Sequence, residues 1–254
     1  KPDYAEAYNN RGSALQNLQQ HEAAIASFDK AIALNPGDGF AYNNRGLSLQ
    51  KLGQHDAAIS SLDKAIQLDP SNGATHNNRG ISLLYLGRCE EAIAEFDRAI
   101  ELIPQYFEAH MNRGIALPGV GRYEEALASL DRAISLRPDN GLAHNSHGTC
   151  LVHLGRYDEA LASFERAIRL IPDYFEAYNN RGLALPYLGR HEEALASYRH
   201  ALKIQPDNAT AHYNAGMCLL QRGETGDYIQ GWHEFEWRWQ TDQYKVAKRD
   251  FPQP

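Results

Sequence analysis

The sequence predicts an all-α fold made of stacked helix pairs, and three features of its periodicity support this prediction. Glycine and alanine recur along the whole chain of 254 residues, always with the same spacing. The apolar residues between them follow helical spacing. Prolines recur every 34 residues, at Pro2, Pro36, Pro70, Pro104, Pro138, Pro172 and Pro206. A single period of this size indicates a repeat array, because periods of roughly 20 to 50 residues are typical of such architectures.

The second repeat shows why each unit should be a helical hairpin. Its segment, GFAYNNRGLSLQKLGQHDAAISSLDKAIQLDPSN, is helical through about Lys51, breaks at Leu52-Gly53 and then resumes apolar residues at helical spacing. Asp69-Pro70 ends the second helix, because the residue before a proline is disfavoured in the helical region. One short hairpin cannot bury both of its faces, so the hairpins must stack on one another.

The register of the repeat predicts the organisation of the chain. Residues 1–4 form the end of a preceding repeat, and residues 209–254 form a seventh, degenerate repeat with an aromatic capping helix and a carboxyl-terminal joint. Pro118 and Pro186 stand late in the first helix of two units and should shorten or kink it there. Residues 5–208 contain six complete units, which are 5–38, 39–72, 73–106, 107–140, 141–174 and 175–208.

Composition excludes some classes of partner and favours one compartment. A net charge of -7 and a pI near 5.9 argue against a nucleic acid or an anionic membrane, because no basic stripe is present to contact phosphates. No apolar run approaches the roughly 18 residues of a membrane span, and the Lys-Pro start does not resemble a signal peptide. Cys89, Cys150 and Cys218 are too few and too scattered for a disulfide framework, which favours a reducing compartment, the cytoplasm.

The 34-residue period, with its glycines, alanines, prolines and the aromatic residues Phe28, Phe96, Phe164 and Tyr198, resembles the tetratricopeptide repeat family. The resemblance covers essentially the entire chain. It implies a right-handed superhelical solenoid of about seven antiparallel helix pairs, in which the first helix of each pair lines the concave surface. It also implies that the partner is a protein or an extended peptide.

One asparagine recurs in the first helix of six of the seven units. A side-chain amide carries both a donor and an acceptor, which suits bonding to a peptide backbone. The row resembles the asparagine ladder in the repeat arm of O-linked N-acetylglucosamine transferases, and Ser146 is its one departure. The alternative, a solvated asparagine without a ligand, remains open. The predicted groove residues are Asn10, Asn44, Asn78, Asn112, Asn180 and Asn214, together with Asn43, Asn77, Tyr85 and Tyr187.

An arginine follows this asparagine in most units, and an acidic residue recurs in the second helix. Pairing within a unit would set Arg181 against Arg199, whereas pairing each acid with the arginine of the next unit avoids that repulsion. The alternative is an arginine whose stem packs on its helix and whose head stays in water. The predicted pairs between repeats are Asp29 with Arg45, Asp63 with Arg79, Asp97 with Arg113, and Glu165 with Arg181.

No residue pattern in the chain predicts catalysis, a cofactor or a metal site. The common nucleophile, phosphate-binding and zinc-protease motifs are missing from the sequence. His144, His147, Cys150 and His153 are spaced by three residues and therefore drift around their helix. At most two neighbours can share a direction, which is fewer than the three or so protein ligands that a zinc site needs.

The segment GDYIQGWHEFEWRW contains all three tryptophans, Trp232, Trp237 and Trp239, and predicts a terminal cap whose aromatic side chains cover the last repeat. The segment resembles bacterial proteins in which the array precedes a glycosyltransferase-like domain, and RDFPQP is similar to the joint between the two parts. The predicted function is therefore a non-catalytic module that binds extended polypeptide, as the recognition arm of such a protein. A freestanding assembly scaffold is the alternative, and self-association through the exposed array ends stays open.

Overall fold

The computed structural model describes residues 4–224 and 226–241, and every regular element in these ranges is a helix. The chain divides into two compact units, Lys1–Leu136 and Arg137–Pro254, and each is considered by itself. In both units, consecutive helices joined by short turns pack against each other as antiparallel pairs. The predicted all-α class of stacked helix pairs is confirmed.

The described part of the first unit contains four helix pairs. Neighbouring pairs also contact each other, so the helices form a continuous stack within this unit. Its helices are α1 (Ala5–Asn17), α2 (His21–Leu34), α3 (Gly39–Lys51), α4 (His55–Leu68), α5 (Gly73–Tyr85), α6 (Cys89–Leu102), α7 (Phe107–Ala116) and α8 (Tyr123–Leu136).

The described part of the second unit contains three further pairs, and α14 is its shortest α-helix. A short 3-10 helix, Glu236–Gln240, follows that last helix. The helices are α9 (Gly141–His153), α10 (Tyr157–Leu170), α11 (Phe175–Ala184), α12 (His191–Ile204), α13 (Ala209–Arg222) and α14 (Asp227–Phe235).

The turn inside each pair has a fixed backbone conformation. Gly53, between α3 and α4, has a φ of 71°, and the glycines at the corresponding position of the later repeats also have positive φ. Glycine adopts this left-handed region without the steric penalty of a Cβ atom. The first repeat has Gln19 there, with a φ of 61°, and is therefore strained at that residue.

Two first helices end early, as their prolines predict. The α-helix α7 stops at Ala116 and continues as a 3-10 turn, Leu117–Val120, which contains Pro118. The α-helix α11 stops at Ala184 and continues as the turn Leu185–Leu188, which contains Pro186. A proline has no N–H to donate and its ring crowds the preceding turn, so the α-helical ladder cannot continue past it.

The core of each pair depends on close approach between its two helices. A Cβ atom on Gly80 would lie 2.6 Å from Cε1 of Phe96, a ring that is fully buried. The recurring glycine therefore removes a side chain where the aromatic ring of the second helix needs the space. The recurring alanines Ala92 and Ala99 are likewise fully buried on the same side of α6.

The terminal helix α14 packs closely on α13, because a Cβ atom on Gly216 would meet the Phe235 nitrogen at 2.5 Å. Trp237 stacks on the ring of His212 with centroids 4.2 Å apart. Trp239 lines a cavity with Asn208 and Thr210 at the start of α13 and is 39% exposed, whereas Trp232 is 54% exposed. The capping role of the three tryptophans stays a prediction.

Candidate functional site

The asparagines that were predicted to line a groove are bonded to asparagines of the preceding repeat. In each case the side-chain Nδ2 of one residue donates to the Oδ1 of an asparagine 35 residues earlier. The distances are 3.5 Å from Asn44 to Asn9, 3.0 Å from Asn78 to Asn43, 2.9 Å from Asn112 to Asn77, 3.2 Å from Asn180 to Asn145 and 3.0 Å from Asn214 to Asn179. We call these contacts the amide ladder.

The amide ladder leaves the acceptor of each ladder asparagine for another partner. One N–H of its Nδ2 group donates to the preceding repeat, so the Oδ1 atom and the second N–H remain. Within the described ranges, no group donates a hydrogen bond to the Oδ1 of Asn78, Asn112 or Asn214. In Asn44 and Asn180 that oxygen accepts only a long bond of 3.4 Å from the neighbouring asparagine. Asn10 is exposed at the start of the row.

The acceptors Asn9, Asn145 and Asn179 were not among the predicted site residues, although Asn43 and Asn77 were. The signal was present in the sequence, because an asparagine recurs with the same 34-residue period one position before the ladder. Gln50 of α3 adds a further contact between neighbouring repeats. Its Nε2 donates to the backbone oxygen of Asn78 at 2.5 Å and to Ser82 Oγ at 2.7 Å, so it ties α3 to α5 beside the ladder.

In the first unit, the arginines of α3, α5 and α7 each contact an acid of the preceding repeat. The distances from arginine Nε to aspartate Oδ1 are 2.7 Å for Arg45 and Asp29, 2.6 Å for Arg79 and Asp63, and 2.5 Å for Arg113 and Asp97. The arginines are 17 to 29% exposed and the aspartates 43 to 51% exposed, so solvent screens each pair in part.

Each of these arginines has a second contact that the sequence analysis missed. The Nη1 of Arg45 donates to Ser61 Oγ at 2.6 Å, and that of Arg113 donates to Ser129 Oγ at 2.6 Å, both within the same repeat. Arg79 bonds Glu95 Oε1 at 2.7 Å instead. One guanidinium therefore links three helices, since its planar donors point in several fixed directions. These serines recur with the 34-residue period, and this recurrence was the sequence signal from which the second contact could have been predicted.

The fourth predicted pair, Glu165 with Arg181, is wrong. Arg181 turns to its own repeat, where Nη1 donates to Ser197 Oγ at 3.2 Å and Nη2 lies 3.7 Å from Glu193. Its Nε is buried, and no described residue accepts a hydrogen bond from it. Glu165 is one methylene longer than the aspartates of the other pairs, so its carboxylate cannot end at the same place.

Tyr85 and Tyr187 are the two most exposed aromatic residues of the predicted groove. Tyr85 is 73% exposed and stacks on His55 with centroids 4.6 Å apart, and Tyr187 is 67% exposed and stacks on Tyr157 with centroids 4.5 Å apart. One face of each ring is therefore covered and the other remains open. In the second unit, Tyr187 and Asn214 line the same cavity, which has a volume of about 400 Å³.

The histidines and cysteine of α9 are held by ordinary structural contacts. His144 Nε2 lies 3.0 Å from the Pro138 carbonyl oxygen and His147 Nδ1 lies 2.9 Å from Ser163 Oγ. Burial raises the pKa of Cys150 to about 11, so its thiol is a poor nucleophile at neutral pH. Among the described residues, no group of three or more His, Cys, Asp or Glu side chains could hold a metal ion. Nor does any described helix have the length and apolar character needed to cross a membrane.

Three related family models match most of the chain. Two described as "Tetratricopeptide repeat" match residues 111–175 and residues 5–38 and 40–72. One described as "TPR repeat" matches residues 82–117 and 187–223. No curated protein sequence matches the chain. The RDFPQP segment lies outside the described residues.

Solved structures share the fold. YrrB, described as a TPR protein with an unusual peptide-binding site, is 29% identical over 72% of this chain and 95% of its own, with a TM-score of 0.62. MamA is 26% identical over 67% of this chain and 93% of its own, with a TM-score of 0.60. A tetratricopeptide repeat protein from Parabacteroides merdae covers 97% of this chain and 94% of its own at 18% identity, with a TM-score of 0.73.

Proposed function

This chain belongs to the tetratricopeptide repeat family, whose members are protein-interaction modules, and we propose that it binds extended polypeptide along the first helices of its repeats. The ladder asparagines would hold the backbone of that polypeptide. Catalysis has no part in this proposal, because the groups that recur along the site are amide donors and acceptors.

The orientation of the amide ladder is the observation that carries the proposal. The Oδ1 atoms of Asn78 and Asn112 are left as acceptors, because their Nδ2 atoms already donate to Asn43 and Asn77. A backbone N–H of an extended ligand is the natural donor for such an oxygen. Each bond would contribute about 0.5 to 1.5 kcal/mol net, so binding requires several repeats acting together.

The character of the neighbouring side chains favours an uncharged ligand. Tyr85, Ile115, Leu183 and Tyr187, all on first helices or the turns that extend them, are between 39 and 73% exposed. Burial of such apolar surface stabilises a complex, whereas a charged ligand side chain would lose its hydration against them. YrrB also supports the proposal, since it is described as having a peptide-binding site and is similar to this chain over most of its length.

A triple variant tests the proposal. Peptides are first selected from a display library of uncharged ten-residue sequences, and their Kd is measured by fluorescence anisotropy. Replacing Asn44, Asn78 and Asn112 with alanine should raise the Kd by about tenfold or more, because three hydrogen bonds of about 0.5 to 1.5 kcal/mol each are lost.

The chain offers a matched control for the stacking of its repeats. Replacing Asp29, Asp63 and Asp97 with asparagine weakens the ion pairs between the same repeats and leaves the amide ladder in place. This control should bind the selected peptides with nearly the wild-type Kd. Equal loss of binding in both triple variants would show that only the stacking matters, and would contradict the proposal.

The wider role that we propose is substrate or partner recognition for a glycosyltransferase-like domain in a longer cytoplasmic protein. The tail sequence GWHEFEWRW supports an attached glycosyltransferase-like domain, and the three unpaired cysteines support a reducing compartment. Reading the source gene beyond the codon for Pro254 tests whether such a domain is attached. Codons for an α/β nucleotide-sugar domain are expected there, and a stop codon would instead favour a freestanding scaffold.

A further inference from the structure

One residue that lines the cavity beside Tyr187 in the second unit differs from the corresponding residue of every other complete repeat. Tyr198 forms part of its wall, and the equivalent residues of the other repeats are Phe28, Leu62, Phe96, Leu130 and Phe164. Only this repeat therefore carries a hydroxyl group at that depth. The helix packing itself does not require it, because the five other repeats form the same helix pair without one.

The Tyr198 side chain is buried, but its hydroxyl has no hydrogen-bond partner among the described residues. The residue is 2% exposed, and its ring packs on Gly182, where a Cβ atom would lie 2.6 Å from Tyr198 Cε1. No described residue is within hydrogen-bonding distance of the hydroxyl, and this oxygen is not among the fully enclosed unpartnered atoms. The small solvent-accessible part of Tyr198 is therefore its hydroxyl, which lies at the cavity. Burial raises the pKa of Tyr198, so the group stays protonated and can both donate and accept.

Tyr187 supplies a stacking surface at the same cavity. One face of its ring lies against Tyr157 at an interplanar angle of 3°, and the side chain is nevertheless 67% exposed. Its second face is thus open. Met217 also lines the cavity, and a thioether makes favourable contacts with the edge of an aromatic ring. An aromatic guest would be held between these two side chains.

The chemistry of the lining selects among aromatic guests. None of the residues around the cavity is charged, and its polar groups belong to tyrosine, asparagine, glutamine and cysteine side chains. A charged group would lose its hydration here without compensation. A phenol fits both features, because its ring can stack on Tyr187 and its hydroxyl can bond the Tyr198 hydroxyl. We propose that this cavity is a subsite for an unmodified tyrosine side chain of the bound polypeptide.

This inference rests on the proposed peptide-binding function, but it can be tested without a peptide. Small probes replace the side chain: p-cresol for tyrosine, toluene for phenylalanine and p-tolyl phosphate for phosphotyrosine. Binding to the full chain is followed by NMR through the methyl group of Met217. We expect p-cresol to shift this signal and to bind several-fold more tightly than toluene, and p-tolyl phosphate to give no shift.

Two variants make the test specific. Tyr198→Phe should fold, since phenylalanine occupies this position in three other repeats, and should abolish the preference for p-cresol over toluene. Tyr187→Ala should weaken both aromatic probes. Equal binding of p-cresol and toluene to the wild type, an unchanged preference in Tyr198→Phe, or binding of p-tolyl phosphate would each overturn the subsite. If p-cresol binds as expected but no selected peptide binds, the preference of the cavity for a phenol stands, whereas the peptide-binding function on which the inference rests fails.

Discussion

Reversing the polarity of one amide pair tests whether the asparagines are oriented as the structure has them. Asn78 Nδ2 donates to Asn43 Oδ1 at 3.0 Å. In the variant Asn78→Asp the donor is lost and two oxygens face each other. In the variant Asn43→Asp the acceptor remains and the hydrogen bond becomes charge-assisted, while the long bond of 3.4 Å from Asn43 Nδ2 to Asn44 Oδ1 is lost. The two substitutions have the same chemistry at the two ends of one contact, so each is the control of the other.

The expected magnitudes differ clearly. Asn78→Asp loses a bond worth about 1 kcal/mol and leaves a half-buried acceptor unpaired, which costs a further 1 to 3 kcal/mol or so. We therefore expect the free energy of unfolding to fall by about 2 to 4 kcal/mol. Asn43→Asp should change it by less than about 1 kcal/mol, because the stronger bond offsets the desolvation of the carboxylate. Asparagine and aspartate have similar helix propensities, so this contribution cancels.

Urea denaturation of the whole chain, followed by circular dichroism, measures the two changes. Hydrogen exchange of the amides of α3 and α5 adds a local readout, because a repeat array need not unfold in one cooperative step. The predicted order is wild type and Asn43→Asp together, with Asn78→Asp clearly less stable. An equal loss in both variants, or a greater loss in Asn43→Asp, would refute the assigned direction of the hydrogen bond.

Three further predictions concern single residues. Glu165→Asp should raise stability to urea by about 0.5 to 1 kcal/mol, because the shorter acid can reach the unpaired Nε of Arg181, and an unchanged midpoint would argue against this. Gln19→Gly should raise the Tm by about 1 to 3 °C by relieving the positive φ, and a lower Tm would mean that no strain is stored there. The hydrogen bond from Arg222 lowers the pKa of Asp227, so the stabilisation is present above the ordinary aspartate pKa and is lost as the pH falls through the lowered one. The tail tryptophans should therefore report unfolding of this region in acid by fluorescence, and Asp227→Asn should remove that pH dependence rather than leave it unchanged.

The sequence was sufficient for the fold because the relevant signals are local. The 34-residue period, the proline that ends each pair and the effect of Pro118 and Pro186 all act within one helix or one turn. The same holds for the glycine and aromatic pairs within a repeat, such as Gly80 with Phe96, which are 16 residues apart along the chain.

The site was less predictable because it depends on how neighbouring repeats meet. Asn43 and Asn78 are 35 residues apart, and their spacing alone does not predict that Asn78 Nδ2 donates to Asn43 Oδ1. The difference between Glu165 and the paired aspartates is a single methylene, whose effect depends on three-dimensional distances.

Backbone methylation of a bound peptide tests the central claim most directly. A ten-residue peptide selected for binding is compared with a scrambled version and with a version whose alternate backbone nitrogens carry methyl groups. If the ladder oxygens accept hydrogen bonds from backbone N–H groups, the scrambled peptide should keep its Kd within a few-fold. The methylated peptide should bind about tenfold or more weakly. Unchanged affinity of the methylated peptide, together with loss of binding on scrambling, would contradict recognition of the backbone by the amide ladder.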